Sequence, residues 1–384
     1  MSTPALSLVL ASRNDDYMGN ARWRLETSLN YVGERVEALG RETDVEVLVT
    51  DWGSDVPLSE VVALTPATAR IVSFVTVPAV LARERQRDSP FPEVLALNAA
   101  ARRARGTYIG RIDQDTLVGD RFLRWFFEVV ERERPLKGLD VTLESALFFA
   151  NRRGIPYSIA SGSPSLRHVT RFIRLFGTTL HIWRDNPSTG DVFWTSAVGI
   201  WLAHRDLWHE CGGYDERLIY YNWMEADMIC RLRRKYPVVD LGALTGHDFY
   251  HLDHLHPRAA RFGQRHAMKN RAIDLAAEPS VLHPNPDDWG LRDDELTFQR
   301  SRSSAGGIAA SAVSDRVGET YAFALVLLRL TAATIADGVI IFCMIQYRIW
   351  GGRLRRVRRE LAERPAVCWP REVWRLWSSR QRRT

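Results

Sequence analysis

Two aspartates separated by one residue, Asp113 and Asp115, stand where the apolar run Thr107–Ile112 gives out. Alternate side chains of an extended segment point to opposite faces, but a turn at a strand end lets both carboxylates meet one site. Magnesium and manganese prefer carboxylate, water and phosphate oxygens, so such a pair suits a divalent cation. A cation held there would neutralise the charge of a departing diphosphate. D-x-D in isolation is a weak signal. Its bland alternative is a pair of solvated turn carboxylates capping the helix expected to begin near Asp120. Four histidines, His247, His251, His254 and His256, form a second dense group. Zinc ranks below magnesium or manganese here, because a closed zinc site usually brings cysteines or a helical pair. Two further acids, Glu225 and Asp227, fall on an expected helix about 200° apart, so both cannot face one partner. Either would otherwise pair with Arg231 or Arg233 on the helix surface.

The pattern of apolar runs says what must position these groups. Ala5–Ala11 reads as a buried strand, and Asn20 as the cap of a helix with Leu25, Leu29, Val32, Val36 and Leu39 at helical spacing, stopped by Gly40. Val45–Thr50 and Arg70–Val77 are further strands, Phe91–Arg105 a helix, and Thr107–Ile112 the strand that runs into Asp113. Ala197–Ala203, the helix Trp223–Tyr236 and the strand Val238–Leu241 follow, while residues 151–196 show no clean periodicity. Strands alternating with helices imply a mostly parallel sheet covered on both faces. Each early strand ends in polar or acidic residues: Arg13-Asn14-Asp15-Asp16, Asp51-Trp52-Gly53-Ser54-Asp55, then Asp113-Gln114-Asp115. Ligands of open α/β sheets bind at the carboxyl ends of strands, where these three clusters would converge.

The order of those segments, from Ser7–Asp15 through Val47–Asp55 and Ala96–Ile109 to the D-x-D, resembles the family 2 glycosyltransferases. Gly212-Gly213-Tyr214-Asp215-Glu216 and Phe249-Tyr250-His251-Leu252-Asp253-His254 extend the likeness, which covers roughly residues 5–255. The resemblance implies a GT-A fold, that is, a Rossmann-like mixed, mostly parallel sheet with helices on both faces. It implies a sugar transfer from a nucleotide-diphosphate donor to a carbohydrate or lipid-linked acceptor hydroxyl, dependent on Mn2+ or Mg2+ and inverting. By the same likeness Ser12, Arg13 and Asn14 border the base and ribose, and Asp51 contacts the nucleobase. Asp113 lies near ribose and metal, Asp115 is the principal metal ligand, and His251 is a further ligand with His254 as its competitor. The family's base is an acid on a helix after the Gly-Tyr-Asp element. Here the usual adjacent Glu-Asp pair is replaced by Glu225-Ala226-Asp227, so Glu225, slightly favoured, and Asp227 both remain open as the catalytic base. Gly190-Asp191 borders the acceptor or is a plain turn. Asn285–Leu291 is expected to serve packing.

Two rivals have their own signatures. A sugar-nucleotide pyrophosphorylase needs a glycine-rich basic loop after the first strand, whereas Ser12–Asp16 is acidic and glycine-poor. A catalytically degenerate nucleotide-sugar-binding or membrane scaffold protein is the alternative that the displaced acidic motif leaves open.

Composition bounds the rest. The 384 residues allow a large domain plus an appendage, and 46% hydrophobic with 26% charged residues is ordinary globular usage. Net charge is +6, yet residues 321–384 hold 13 arginines against 4 acids, which leaves residues 1–320 at −3. A nucleic-acid-binding body would show the reverse, so no nucleic-acid partner is expected. The four cysteines lack CxxC spacing, and the first apolar run is too short for a signal peptide, so a cytoplasmic setting is expected. Leu330–Tyr347 carries one charge, Asp337, and its polar positions fall on one arc. Followed by Arg353, Arg355, Arg356, Arg358 and Arg359, it suits an interfacial helix on an anionic inner membrane face, or a helix packed on the domain or on a second copy as a homo-oligomer. The expected organisation is a catalytic domain at 1–255, a wrapping segment at 256–310 and a basic helical region at 311–384.

Overall fold

A computed structural model describes residues 3–300 apart from 133–135, 137–140, 183–197, 221–222, 255–268 and 271–280. The chain divides into two compact units, Met1–Val313 and Ser314–Thr384, and the second lies outside the described residues. Expectations for residues 311–384, for Gly190-Asp191 and for His256 lie outside them too. Among the described residues no helix is long and apolar enough to cross a membrane.

Eight strands form the main sheet: β1 (Leu6–Ser12), β2 (Val45–Trp52), β3 (Val72–Val77), β4 (Tyr108–Arg111), β6 (Leu147–Asn151), β8 (Val198–His204), β9 (Val238–Asp240) and β11 (Thr297–Arg300). Their order is β11-β3-β2-β1-β4-β8-β6-β9, and only β8 and β11 run against the rest. The expected mixed, mostly parallel sheet is therefore present. Its strands read as unbroken apolar runs because both faces are covered. On one face Leu6, Leu8 and Leu10 pack with Leu25, Leu29, Val32 and Val36 of the helix Ala21–Ala38 and with Phe122 and Phe126 of the helix Asp120–Arg132. On the other, Val9 and Ile109 pack with the helix Glu93–Arg103 and with Trp208 and Met228. Each fully buried side chain of this size contributes roughly 1.5–3 kcal/mol.

A second, small sheet carries part of the site. Its order is β5 (Thr116–Val118), β10 (Phe249–Leu252) and β7 (Arg153–Ile155), with β10 antiparallel to β5. The register sets His251 opposite Thr116, one residue from Asp115. Asp248, just before β10, accepts from the backbone N–H groups of Arg121 (2.7 Å) and Phe122 (3.3 Å), so it caps the helix Asp120–Arg132. That cap was the bland reading of the D-x-D, and another carboxylate fills it.

Several expected boundaries move for local reasons. Arg70 lies in a helix, Pro66–Ile71, not in β3: Thr65 caps it by accepting from Thr68 N, and Pro66 starts it. The helix expected from Phe91 begins at Glu93, because the residue before a proline avoids helical geometry. The helix expected from Trp223 to Tyr236 spans Met224–Leu232. Asn20 sits at the cap position, but with φ 53° and no side-chain cap; its amide donates to the Ser161 carbonyl instead (3.2 Å). Gly40 does end that helix. With φ +65° it lets its own N–H reach Glu37 O and that of Arg41 reach Val36 O. Within the described part of 151–196 regular structure does occur: Leu166–Phe176 is a helix capped by Ser165 and buried through Val169, Phe172 and Ile173.

Gly119 stands where β5 meets Asp248. A Cβ there would lie 2.1 Å from Asp248 Oδ2. Gly119→Ala is expected to destabilise the protein by about 1–3 kcal/mol through overpacking at this junction. Thermal melting of the full chain checks this; an unchanged Tm would mean the junction is looser than described.

Candidate active site

The carboxyl ends of β1, β2 and β4 lie side by side, with Ser12 level with Asp51 and Val9 with Arg111. Their loops are stitched together. Ser12 Oγ donates to Gln114 Oε1 (2.6 Å), and Asn14 N–H donates to Ser54 Oγ (2.8 Å). Beyond β4 the chain turns, with Thr116 N–H on Asp113 O (3.1 Å), and the turn sends the two aspartates to different partners.

Asp115 is buried, at 3% exposure. Its Oδ1 lies 3.2 Å from His251 Nε2, and its Oδ2 lies 3.2 Å from His254 Nε2 and accepts a short hydrogen bond from Arg24 Nη1. Leu252 N–H on Asp115 O (3.0 Å) fastens β10 at this point. One donor atom from each of Asp115, His251 and His254 falls within 4.8 Å of the others, the geometry of a three-ligand metal group. Burial opposes ionisation of Asp115, but His251 and the hydrogen bonds from both histidines outweigh it and hold the carboxyl well below its usual range. Burial, then the nearby Arg152, lower the His251 pKa against the pull of Asp115. An ionised Asp115 beside a His251 ring that resists protonation is the state a divalent cation needs. His254 Nδ1 is buried and has no hydrogen-bond partner among the described residues. The donor set fits manganese and its neighbours, which accept both imidazole and carboxylate.

Asp113 stands outside that group. Arg111 Nη2 reaches its Oδ1 (2.7 Å), and Arg152 Nη1 makes a short contact with its Oδ2. The same Arg111 nitrogen lies 2.7 Å from Glu93 Oε1 and 3.2 Å from Glu225 Oε1, so one buried guanidinium gathers three carboxylates. Glu225 thus faces the D-x-D turn. Asp227 faces away: its Oδ2 accepts from Arg231 Nε (2.9 Å), and Arg231 also donates to the carbonyls of Cys211, Gly213 and Leu282.

The remaining expected residues line the β1 and β2 loops. Asp51 is fully buried; it accepts from Ser54 Oγ and from Leu58 N–H (2.7 Å), and burial raises its pKa against those bonds. Arg13 pairs with Asp15 (2.7 Å) and lies over the Phe91 ring. Asn14 donates to Val56 O (2.9 Å). Sequence reasoning missed Arg24, Glu93, Arg111 and Arg152. The only signal for Arg24 was its place, one turn before the buried Ser28, on the inward side of its helix. A pocket of about 130 Å³ opens beside the metal group, lined by Met18, Gly19, Asn20, Arg24, Ser161 and His254 among others.

No family model matches the sequence, and no curated protein does. Solved structures similar to the chain are glycosyltransferases. S. aureus TarS 1–349 in complex with UDP shares 12% identity over 70% of this chain and 65% of its own, at TM-score 0.41. The mannosyltransferase PcManGT from Pyrobaculum calidifontis, in complex with GDP-Man and Mn2+, shares 13% over 76% of this chain and 69% of its own, at 0.38. The catalytic domain of Drosophila beta1,4galactosyltransferase 7, in complex with xylobiose, shares 11% over 70% and 79%, at 0.37. The chain spans less than two thirds of TarS 1–349. Likeness at these values carries no residue role to this chain.

Burial pushes the Glu93 carboxyl up to about 7; Arg111 pulls it down, and Asp113 and Glu225 push it further up. Its folded pKa therefore exceeds the unfolded one. Between about 4.3 and the folded value the folded state keeps a proton that the unfolded state releases, so stability falls as pH rises through that window. Glu93→Gln is expected to remove this slope. Its Tm relative to wild type should climb from pH 4.5 to 7 and level off above, and a difference that stays flat across that range would contradict it.

Proposed function

We propose that the protein is a metal-dependent glycosyltransferase of the family 2 type with a GT-A catalytic domain, moving a sugar from a nucleoside-diphosphate donor to an acceptor hydroxyl with inversion. The observation that carries the reading is the grouping of Asp115, His251 and His254 at the carboxyl edge of a mostly parallel sheet, with Glu225 facing the same turn. Asp115, His251 and His254 would hold Mn2+ or Mg2+. The cation, when bound, supplies positive charge to the leaving diphosphate. Ser12, Arg13, Asn14 and the Asp51 loop border the base and ribose, and Asp113 the ribose edge nearest the cation.

Glu225 takes the acceptor's proton as its oxygen attacks the anomeric carbon. Two features favour it over Asp227. It shares Arg111 with Asp113 and so stands at the D-x-D turn, whereas Asp227 serves a buried ion pair that ties its helix to the Gly212-Gly213 loop. Arg111 holds Glu225 in place; no covalent nucleophile is needed. The reading extends to the chain's organisation: residues 1–255 as catalytic domain, 256–310 as wrapping segment, and 311–384 as a basic helical region against an anionic membrane or a second copy. A cell-surface polysaccharide or glycolipid acceptor is in keeping with that tail.

The test has two parts. UDP-, GDP- and dTDP-sugars are screened for manganese-dependent thermal stabilisation; one of them should stabilise wild type, and Asp115→Ala should lose most of the shift, since only binding to the folded state produces it. Equal shifts in both proteins would remove Asp115 from the metal site. With the donor found, Glu225→Gln should keep binding and lose about 10²–10⁴-fold in kcat, the usual worth of a general base. Asp227→Asn should chiefly lower Tm. Donor binding without turnover in wild type, across acceptors and metals, would favour the catalytically degenerate binding protein.

A further inference from the structure

The residue that the metal group holds in common with nothing in the proposed reaction is Arg24. It is 1% exposed, in the first turn of the helix Ala21–Ala38, and it is fully engaged. Nη1 binds Asp115 Oδ2, Nη2 binds the Tyr17 carbonyl, and Nε lies 3.3 Å from the Gly19 carbonyl. The loop it grips is unusual, because Met18, Gly19 and Asn20 all have positive φ, at 60°, 78° and 53°. Non-glycine residues rarely hold this conformation without a fixed partner, so the guanidinium and the loop define one another.

The charge balance of the group follows. Asp115 is its only carboxylate, and Arg24 cancels it. The two imidazoles add no negative charge in any protonation state. Asp113, the nearest other acid in the turn, is already met by Arg111 and Arg152. A bare divalent cation entering here meets a donor set of about zero net charge and shares the Asp115 carboxylate with a guanidinium. Affinity of hard cations for protein sites rises with the count of charged ligands. A nucleoside diphosphate supplies the missing charge. The pocket beside the group gives it a place: Arg24 and His254 line it, together with one carboxylate outside the donor set, Asp253.

We propose that Arg24 is a resident counter-cation of the metal group, which makes the divalent ion bind together with a diphosphate and not before it. The proposal rests on the metal-dependent reading above and adds an order and a cause to it. Arg24 is a positioning residue: it holds the Tyr17–Asn20 loop on Asp115 until a diphosphate relieves it.

Binding of Mn2+ to the full chain, followed by the loss of the free-ion EPR signal, tests this. The probes are Mn2+ alone and Mn2+ with UDP, GDP, dTDP or inorganic pyrophosphate. Wild type should bind Mn2+ weakly alone and at least about tenfold more tightly with a diphosphate, and Mn2+ should tighten the diphosphate by the same factor. Arg24→Gln should bind Mn2+ alone about tenfold or more tightly than wild type and lose most of the diphosphate effect. Arg24→Lys, which keeps the charge, should behave as wild type. A merely structural role for Arg24 would weaken metal binding in Arg24→Gln and so overturn the proposal. Tight Mn2+ binding by wild type without diphosphate, abolished in Asp115→Ala, would overturn it while leaving the metal site standing. Absence of Mn2+ binding in every arm would sink the metal-dependent reading itself. Should Arg24→Gln fail to fold, the wild-type arms still decide: Mn2+ binding equally tight with and without a diphosphate overturns the proposal.

Discussion

A carboxylate almost sealed from water must be met by positive charge or by hydrogen-bond donors, and the site is arranged around that need at Asp115. Three segments answer it. The first turn of the helix after β1 brings Arg24, β10 brings His251, and the chain just beyond brings His254. All three converge on Asp115. Leaving any of these groups buried and unmet would cost more than making the contact gains, so the cluster organises the loops around it as much as they organise the cluster.

A second hub forms around Asp113, two residues before Asp115. Arg111 at the end of β4 gathers Glu93, Asp113 and Glu225 from three elements. The two hubs divide the D-x-D between them: one aspartate joins the histidines, the other joins the arginines. A turn of three residues thus separates an aspartate set among imidazoles from an aspartate set among carboxylates and guanidinium groups. The division matters because carboxylates crowded at one point resist ionising together.

Much of the architecture was legible in the sequence because parallel strands covered on both faces announce themselves as apolar runs. The runs at Ala5–Ala11, Val45–Thr50 and Thr107–Ile112 each correspond to a strand, and Gly40 ends its helix as read. The helix Leu166–Phe176 escaped notice although Val169, Phe172, Ile173 and Phe176 stand at helical spacing, because the flanking Gly, Ser and Pro residues mask so short an apolar stripe. The D-x-D and His251 were legible as residue types at strand ends. Their partition was not, because it depends on contacts between residues far apart in the chain. Arg24 with Asp115 spans 91 positions, and no local pattern marks an inward-facing arginine as anything but a surface one. Glu225 and Asp227 were inseparable by spacing. Their surroundings differ because Arg231, one turn on, takes Asp227 into its own network.

β5 and β10 touch along their length, yet about 130 residues of chain separate Val118 from Phe249. The chain between them carries β6, β7, the helix Leu166–Phe176 and β8 and returns to its starting point through this short antiparallel ladder. Side chains alternate along a strand, so slipping that ladder by a single position would turn His251 to the opposite face. That span is itself tied to the site: β6 and β8 join the main sheet, β7 pairs with β10 beside His251, and the same stretch supplies Arg152 and Glu225. One short strand pairing therefore closes a length of chain whose two ends and whose interior meet at a single turn, so a change of length within it is felt where the charges gather.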